Sequence, residues 1–424
     1  MKLGALVFRE KGGLLRVILM ELNLVLAIGI ITVIGFLGGR AAERLRFPRV
    51  TGYILIGVLL SPSVLNIISR ETVDNLGIIT DIALGIIAFL IGGSLRLESL
   101  RKLGRSIAWI TPFQSVGAWL LVTLLLAFLG PRILTIPNAT FYDTYFPVAF
   151  IIGAISCATA PAATVAIINE CKAKGPFTTT LLAVVALDDA IAVIAFAIAL
   201  GISRPLVTGV GSISIYQTFG EPALHIVQSM GIGAAFAFAL IYIARLVRTR
   251  PLLLVVVFGM IMACIGVSNL LGVSLILANM TIGFIVVNRL KETETFLVLE
   301  EIEDVIFAMF FVLAGLHFDL AVMKIAGILA ALIFGARSLG KYFGTRAGAA
   351  ISHASDEVRK YLGFALLPTA GVALGLVLLA GRAFPTFGAI MVNAVLASVI
   401  INELVAPPVT RYAIFKSGEA GASA

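Results

Sequence analysis

Asp188 and Asp189 stand side by side in "LLAVVALDDAIAVIAFAIAL", residues 181–200, an apolar stretch long enough to cross a bilayer. An ionised side chain at mid-bilayer costs roughly 2.5–3.5 kcal/mol on insertion scales. One Asn or Ser would hold helices together at less cost, so two adjacent acids point to chemistry rather than packing. Neighbouring helix positions lie about 100° apart. One carboxylate can therefore face a water-filled cavity while the other faces a packed helix. Low dielectric and mutual repulsion disfavour two simultaneous negative charges, and the two groups titrate as a unit. Such a pair can give up a proton to bind a small cation and give up the cation to bind a proton. Carboxylate oxygens suit a hard cation such as sodium. A site occupied alternately by two ligands is an exchanger.

Two cations also fall inside an apolar run. Arg337 and Lys341 are four residues apart, so they share one helix face. Lys341 can snorkel if its helix sits low in the membrane, whereas Arg337 lies deeper and calls for a buried carboxylate. Arg keeps its proton; a buried Lys can lose it. Which of the two pairs with the acids therefore decides which group can carry a proton. Pro161 and Pro368 each interrupt an apolar helix and leave backbone groups without helical partners. A membrane tolerates that only where the backbone lines protein or water. Thr159, Thr164 and Thr369 offer hydroxyls at these breaks, and half-helix ends offer partial charges. Asn393 and Glu403 can join the network, with Glu403 near enough to a helix end to reach the interface. Asp81, Glu303 and Asp304 are expected at helix starts as caps.

The elements that must hold these groups follow from composition. The chain has 424 residues, 60% hydrophobic and 13% charged, with mean hydropathy +1.09. That excludes a soluble globular protein and predicts an all-α polytopic membrane protein. Short alternating β-barrel segments are absent from the sequence. Thirteen spans are expected near 21–40, 52–68, 77–95, 106–130, 146–169, 177–201, 222–244, 252–269, 271–288, 304–318, 325–345, 360–380 and 386–410. Basic residues collect after every odd-numbered span, as in Arg40–Arg49, Arg96–Arg105, Lys172–Lys174, Arg245–Arg250, Arg289–Lys291, Arg346–Lys360 and Arg411–Lys416. The alternate loops hold Arg70, Arg132, Arg204, Lys324 and Arg382. The positive-inside rule then places the C-terminus in the cytoplasm and the N-terminus outside. The basic N-terminal tail (Lys2, Arg9, Lys11, Arg16) argues the opposite. This distribution also accounts for the net charge of +8 without a nucleic-acid partner.

The chain repeats itself. "FLIGGSLRLESLRKLGR" (89–105) is similar to "FVLAGLHFDLAVMKIAG" (311–327). After each come a long helix, a proline-broken helix ("CATAPAATVAIINE", 157–170, and "LLPTAGVALGL", 366–376) and a helix with polar residues. The two copies start on opposite sides of the membrane, which is the signature of inverted-repeat transporters. Cys157, Cys171 and Cys264 make no disulfide framework, and His225, His317 and His353 have no metal-ligand spacing. Leu14–Met20 is too short for a convincing signal peptide. Nucleotide-binding motifs are absent from the sequence, and no cofactor is implied.

These features resemble the second branch of the monovalent cation/proton antiporter superfamily, which includes bacterial sodium/proton antiporters, over nearly the whole chain. "RLRFPRVTGYILIGVLLSP" (44–62) looks like the family's opening signature, and "ALDDA" (186–190) its paired-aspartate motif. "ARSLGKYFG" (336–344) is similar to its basic helix and "LLPTAGVALGL" to its second broken helix. The resemblance implies thirteen helices with two crossing broken helices. After an N-terminal tail (1–20), a dimerisation domain would comprise 21–95 and 252–318. A mobile core would comprise 106–201 and 325–410, with 222–244 as linker and 411–424 as a short tail. It implies a homodimer and elevator-like movement of the core. Asp189 would be the principal cation and proton site, with Thr159 and Thr164 at the first break. Asp188 would pair with the basic residue of span eleven, Arg337 being preferred to Lys341. Arginine there departs from the lysine of the best-known electrogenic members, which exchange two protons for one sodium. No nucleotide-binding regulatory domain of the potassium-efflux relatives is expected after span thirteen. The expected activity is exchange of sodium or lithium for protons at a plasma membrane, with potassium/proton or electroneutral exchange as the alternative. An intramembrane aspartyl protease needs acids facing each other from different helices, and a channel needs no protonatable pair.

Overall fold

The computed structural model describes residues 23–421 apart from 46–48, 99–103, 135, 137–138, 209–219, 248, 291–293 and 370. The N-terminal basic residues, Leu14–Met20, Arg46, Arg101, Lys102, Arg248 and Lys291 lie outside the described residues. Among the described residues every regular element is helical. In order these are α1 (Leu24–Arg44), α2 (Arg49–Leu60), the short α3 (Arg70–Asn75), α4 (Gly77–Ser94), α5 (Arg105–Ile133), α6 (Phe146–Ile155), α7 (Pro161–Glu170) and α8 (Pro176–Thr208). They continue with α9 (Glu221–Ala244), α10 (Arg250–Leu270), α11 (Leu275–Leu290), α12 (Glu294–Leu316), α13 (Met323–Ile351), α14 (Asp356–Ala365), α15 (Gly371–Ala383) and α16 (Pro385–Lys416).

Seven stretches among these are long and apolar enough to cross a membrane: Leu24–Arg44, Arg70–Ser94, Arg105–Ile133, Pro176–Thr208, Ala223–Ala244, Arg250–Leu270 and Pro385–Lys416. Arg49–Leu60, Phe141–Ile155, Leu275–Leu290 and Gly371–Ala383 are shorter apolar helices. Large apolar side chains on the outside, such as Val25, Leu124, Phe128, Tyr242 and Val255, are more than half exposed. Water would not favour that surface; hydrocarbon does.

The chain divides into two compact units. One takes the chain up to Thr80 together with Asp304–Ala321; the other takes Asp81–Glu303 and everything from Val322 onward. In the first unit Ile31, Leu60, Ile68, Leu76, Val312 and Leu316 form the apolar core. There α1 meets α2 with no side chain between them, because a Cβ on Gly52 would strike the carbonyl of Gly38. Three features of the helices differ from sequence expectation. The second span stops at Leu60, where "SPS" turns the chain. The tenth begins at Glu294 rather than near 304, because "ETFLVLEE" has strong helix formers and no breaker. Glu303 and Asp304 therefore lie in mid-helix and are not caps. Asp81 lies inside α4, where it takes Arg382 (2.6 Å) and the Asn269 amide (3.2 Å), and is not a cap either.

The second unit contains the interrupted helices. Its core near α8 gathers Ile110, Phe177, Leu181, Val184, Ala349, Leu362 and Ile414. Here α5 and α13 touch backbone to backbone: a Cβ on Gly340 would strike the Gly117 carbonyl, and one on Gly344 that of Phe113. This close approach brings the face of α13 that carries Arg337 and Lys341 against the polar middle of α5.

Candidate functional site

The first break begins where α6 ends at Ile155 and closes where Pro161 opens α7. A proline suits the first helical position because its missing N–H would be unpaired there anyway. The intervening Ser156–Ala160 leaves carbonyls that no helix satisfies. Those of Ser156 and Ala158 accept hydrogen bonds from Arg337, from Nε at 3.1 Å and from Nη2 at 2.7 Å. That of Cys157 accepts from Lys341 Nζ at 2.8 Å.

The second break follows α14, which ends at Ala365, and precedes α15, which opens at Gly371. Its Leu367 carbonyl accepts from Arg337 Nη1 at 2.6 Å. The two breaks also join directly, the Ala160 N–H donating to the Pro368 carbonyl at 2.9 Å. The Thr369 N–H donates to Asn402 Oδ1 at 2.9 Å.

Arg337 was expected to face Asp188; instead its fork spans three carbonyls of two breaks. The partner of Asp188 is Lys341, Nζ to Oδ2 at 3.1 Å, with both side chains fully buried. The snorkelling alternative for Lys341 is thereby overturned. The reason is shape: a planar guanidinium with five fixed donors suits spread-out carbonyls, while a compact ammonium suits one crowded carboxylate. The basic partner of Asp188 is thus a lysine rather than the arginine that was expected.

Lys341 also donates to Gln114 Oε1 (2.8 Å) and Thr159 Oγ1 (2.7 Å). Asp188 accepts the Thr159 hydroxyl at 2.5 Å, the Ser115 hydroxyl at 3.4 Å and the Gln114 amide. Breaking such a pair by removing one partner strands the other charge, at a cost of about 3–5 kcal/mol.

Asp189 is placed differently. It is 2% exposed, and among the described residues its Oδ1 has no hydrogen-bond partner. The Thr159 backbone N–H approaches the same carboxylate. A cavity of about 440 Å³ runs along α8 from Val193, one turn beyond Asp189, to Arg204, and includes Phe196, Leu200, His225 and Asn269 in its wall.

Of the other predicted residues, Thr164 is buried, and its hydroxyl donates to the Ala160 carbonyl at the mouth of the first break. Asn393 is buried and donates to Ala389 on its own helix. Glu403 is buried, not at the interface. All three cysteines are free and buried. Sequence reasoning missed Gln114, Ser115 and Asn402, which are neutral polar residues in apolar runs; "TPFQSVGAW" was the available signal.

A polytopic apolar chain with a lysine–aspartate pair and a second buried acid where two interrupted helices meet has the architecture of a membrane ion transporter. Residues 28–414 match the family model described as "Sodium/hydrogen exchanger, transmembrane", and the chain belongs to the sodium/hydrogen exchanger family. It is 24% identical over 409 residues to the Na(+)/H(+) antiporter NhaS4 of Synechocystis sp., covering 91% of this chain and 95% of that protein. Its fold is similar to that of MjNhaP1, a sodium proton antiporter from Methanocaldococcus jannaschii. The structure of MjNhaP1 at pH 8 gives a TM-score of 0.73 at 16% identity, covering 92% of this chain and 98% of that one. An electron-microscopy structure of MjNhaP1 gives 0.66 at 18% identity, covering 93% and 95%.

Proposed function

We propose that the protein exchanges sodium or lithium for protons across the plasma membrane, with Asp189 holding either the cation or a proton. The observation that carries this reading is the buried, unpartnered Oδ1 of Asp189 beside an Asp188 whose charge Lys341 already matches. Thus Asp188 holds Lys341 in place, and Asp189 holds the cation or the first proton. An unpaired carboxylate away from water gains much from a proton or a metal ion and cannot hold both at once. Thr159 and Thr164 at the first break are the proposed hydroxyl partners of the ion, and the cavity along α8 gives water a route to within one turn of the acid. Family membership and the names of the similar antiporters support sodium and protons as the exchanged ions.

Exchange is electrogenic in this reading, two protons for one sodium. Lys341, unlike Arg337, can lose its proton and so can account for the second one. The core (106–201 and 325–410) moves as an elevator against a homodimer scaffold (21–95 and 252–318), with 222–244 as the linker. Each pair of half-helices counts as one of thirteen spans, and the broken helices cross at the Ala160–Pro368 contact. The distribution of Lys and Arg supports an outside N-terminus and a cytoplasmic C-terminus.

The test is a proteoliposome with a pH-sensitive dye, to which sodium, lithium or potassium is added in turn. Sodium- or lithium-driven proton movement that Asp189→Asn abolishes is expected. Undiminished exchange in that variant removes the assignment, and an equal response to potassium replaces sodium by potassium exchange. An imposed membrane potential should change the rate; indifference to it overturns the two-proton stoichiometry.

A further inference from the structure

Helix α8 carries both aspartates, and its start at Pro176 has no side-chain acceptor to cap it in the chain just before it, "KAKG". The first two available amide donors of the helix instead point at a residue some 240 positions later. Phe177 N–H donates to Glu419 Oε1 at 2.7 Å and Thr178 N–H to Oε2 at 2.8 Å. The Thr178 hydroxyl adds a third bond to Oε2 at 2.8 Å. Both carboxylate oxygens are thus engaged at a helix N-terminus, where the helix dipole favours negative charge.

The contact belongs to a longer attachment. Lys174 N–H donates to the Glu419 carbonyl at 3.2 Å, and Gly421 N–H to the Cys171 carbonyl at 3.0 Å. Ala420 packs on the cluster that contains Cys171, Phe177 and Ile414. On the last turns of α16, Arg411 pairs with Glu170 at the end of α7, at 3.0 Å. Gly175 leaves room for the carboxylate, since a Cβ there would stand where the Glu419 head group lies.

We infer that Glu419 is a positioning residue for exchange: the segment after α16 folds back as a strap and caps the aspartate helix, fixing the depth of Asp188 and Asp189. Phe177, Leu181, Val184 and Asp188 recur at helical spacing on one buried face. Capped end and acid are therefore about 16 Å apart along one continuous rod. Fraying the first turn loosens Phe177 and Leu181 and lets that rod shift against Thr159 and Lys341, which are held by other helices. Such a misplacement changes binding geometry without touching the acids themselves. The inference rests on Asp189 being the ion site.

Two measurements on the full chain test it. Amide hydrogen exchange reads the cap without any transport: Glu419→Ala should raise exchange at Phe177 and Thr178 about tenfold. Unchanged protection there overturns the cap. In proteoliposomes the same variant should raise the apparent KM for sodium by about threefold, with kcat changed less. Glu419→Gln, which keeps the shape and one acceptor oxygen, should fall between the two. A lower melting temperature with an unchanged KM means that the strap only stabilises, which overturns positioning. Retained exchange in Asp189→Asn sinks the ion-site assignment and leaves the hydrogen-exchange result standing, so the two failures are distinguishable.

Discussion

At the first break, backbone carbonyls of Ser156, Cys157 and Ala158 receive Arg337 and Lys341, and the Thr159 hydroxyl meets Asp188. At the second break, among the described residues, the Thr369 N–H meets Asn402, the Pro368 carbonyl meets the Ala160 N–H, and the Leu367 carbonyl meets the charge of Arg337. A buried polar pair follows each break in the chain, Asp188–Asp189 on α8 and Asn402–Glu403 on α16. In both, the first member of the pair takes a threonine of the break. The residue that takes the threonine of the break is the charged Asp188 in one case and the neutral amide Asn402 in the other. The buried lysine–aspartate pair stands at the first break, whereas the buried acid that follows the second, Glu403, has an amide, Asn402, as its neighbour in the chain.

That contrast can be broken by substitution, and the largest effect belongs to the charged side. Lys341→Ala leaves Asp188 buried and unpaired and should destabilise the protein by about 3–5 kcal/mol, read as a fall in the detergent unfolding midpoint. Adding Asp188→Asn to Lys341→Ala should recover part of the loss; a double variant worse than the single would contradict the pairing. Arg337→Lys keeps the charge but cannot reach three carbonyls at once. It should cost about 2–3 kcal/mol in the same measurement, because buried acceptors are left unsatisfied. At the second break, Asn402→Leu frees the Thr369 amide and should cost about 1–2 kcal/mol. A loss equal to that of Lys341→Ala would mean that the two breaks do not differ as described. Smallest of all, Thr164→Val removes a hydroxyl bonded within its own turn and should stay within about 0.5 kcal/mol in stability. A larger drop would give Thr164 a structural role at the first break.

Much of this arrangement was legible beforehand, for physical reasons that also mark its limit. Charges and prolines in apolar runs are costly, so Asp188, Asp189, Arg337, Lys341, Pro161 and Pro368 stood out. Periodicity could not choose between Arg337 and Lys341, because residues four apart share a face and differ only in depth along the helix. That choice depended on where α5 lies, and α5 is held by Gly117 against Gly340, a contact with no side-chain signal. Gln114 and Asn402 cost far less to bury than an ion and blended into their helices. Asp81 and Asp304 were misread as caps because an acid near the start of an apolar run looks the same whether the helix begins there or a turn or more earlier.

The bond between the Ala160 N–H and the Pro368 carbonyl has a different kind of consequence. Both of its atoms are main chain, so an alanine scan passes over it without a trace, and the one point substitution that removes the donor, Ala160→Pro, also constrains the backbone of the break. Replacing the amide by an ester at position 160, through semisynthesis or nonsense suppression with a hydroxy acid, would cut this single tie while leaving every side chain in place.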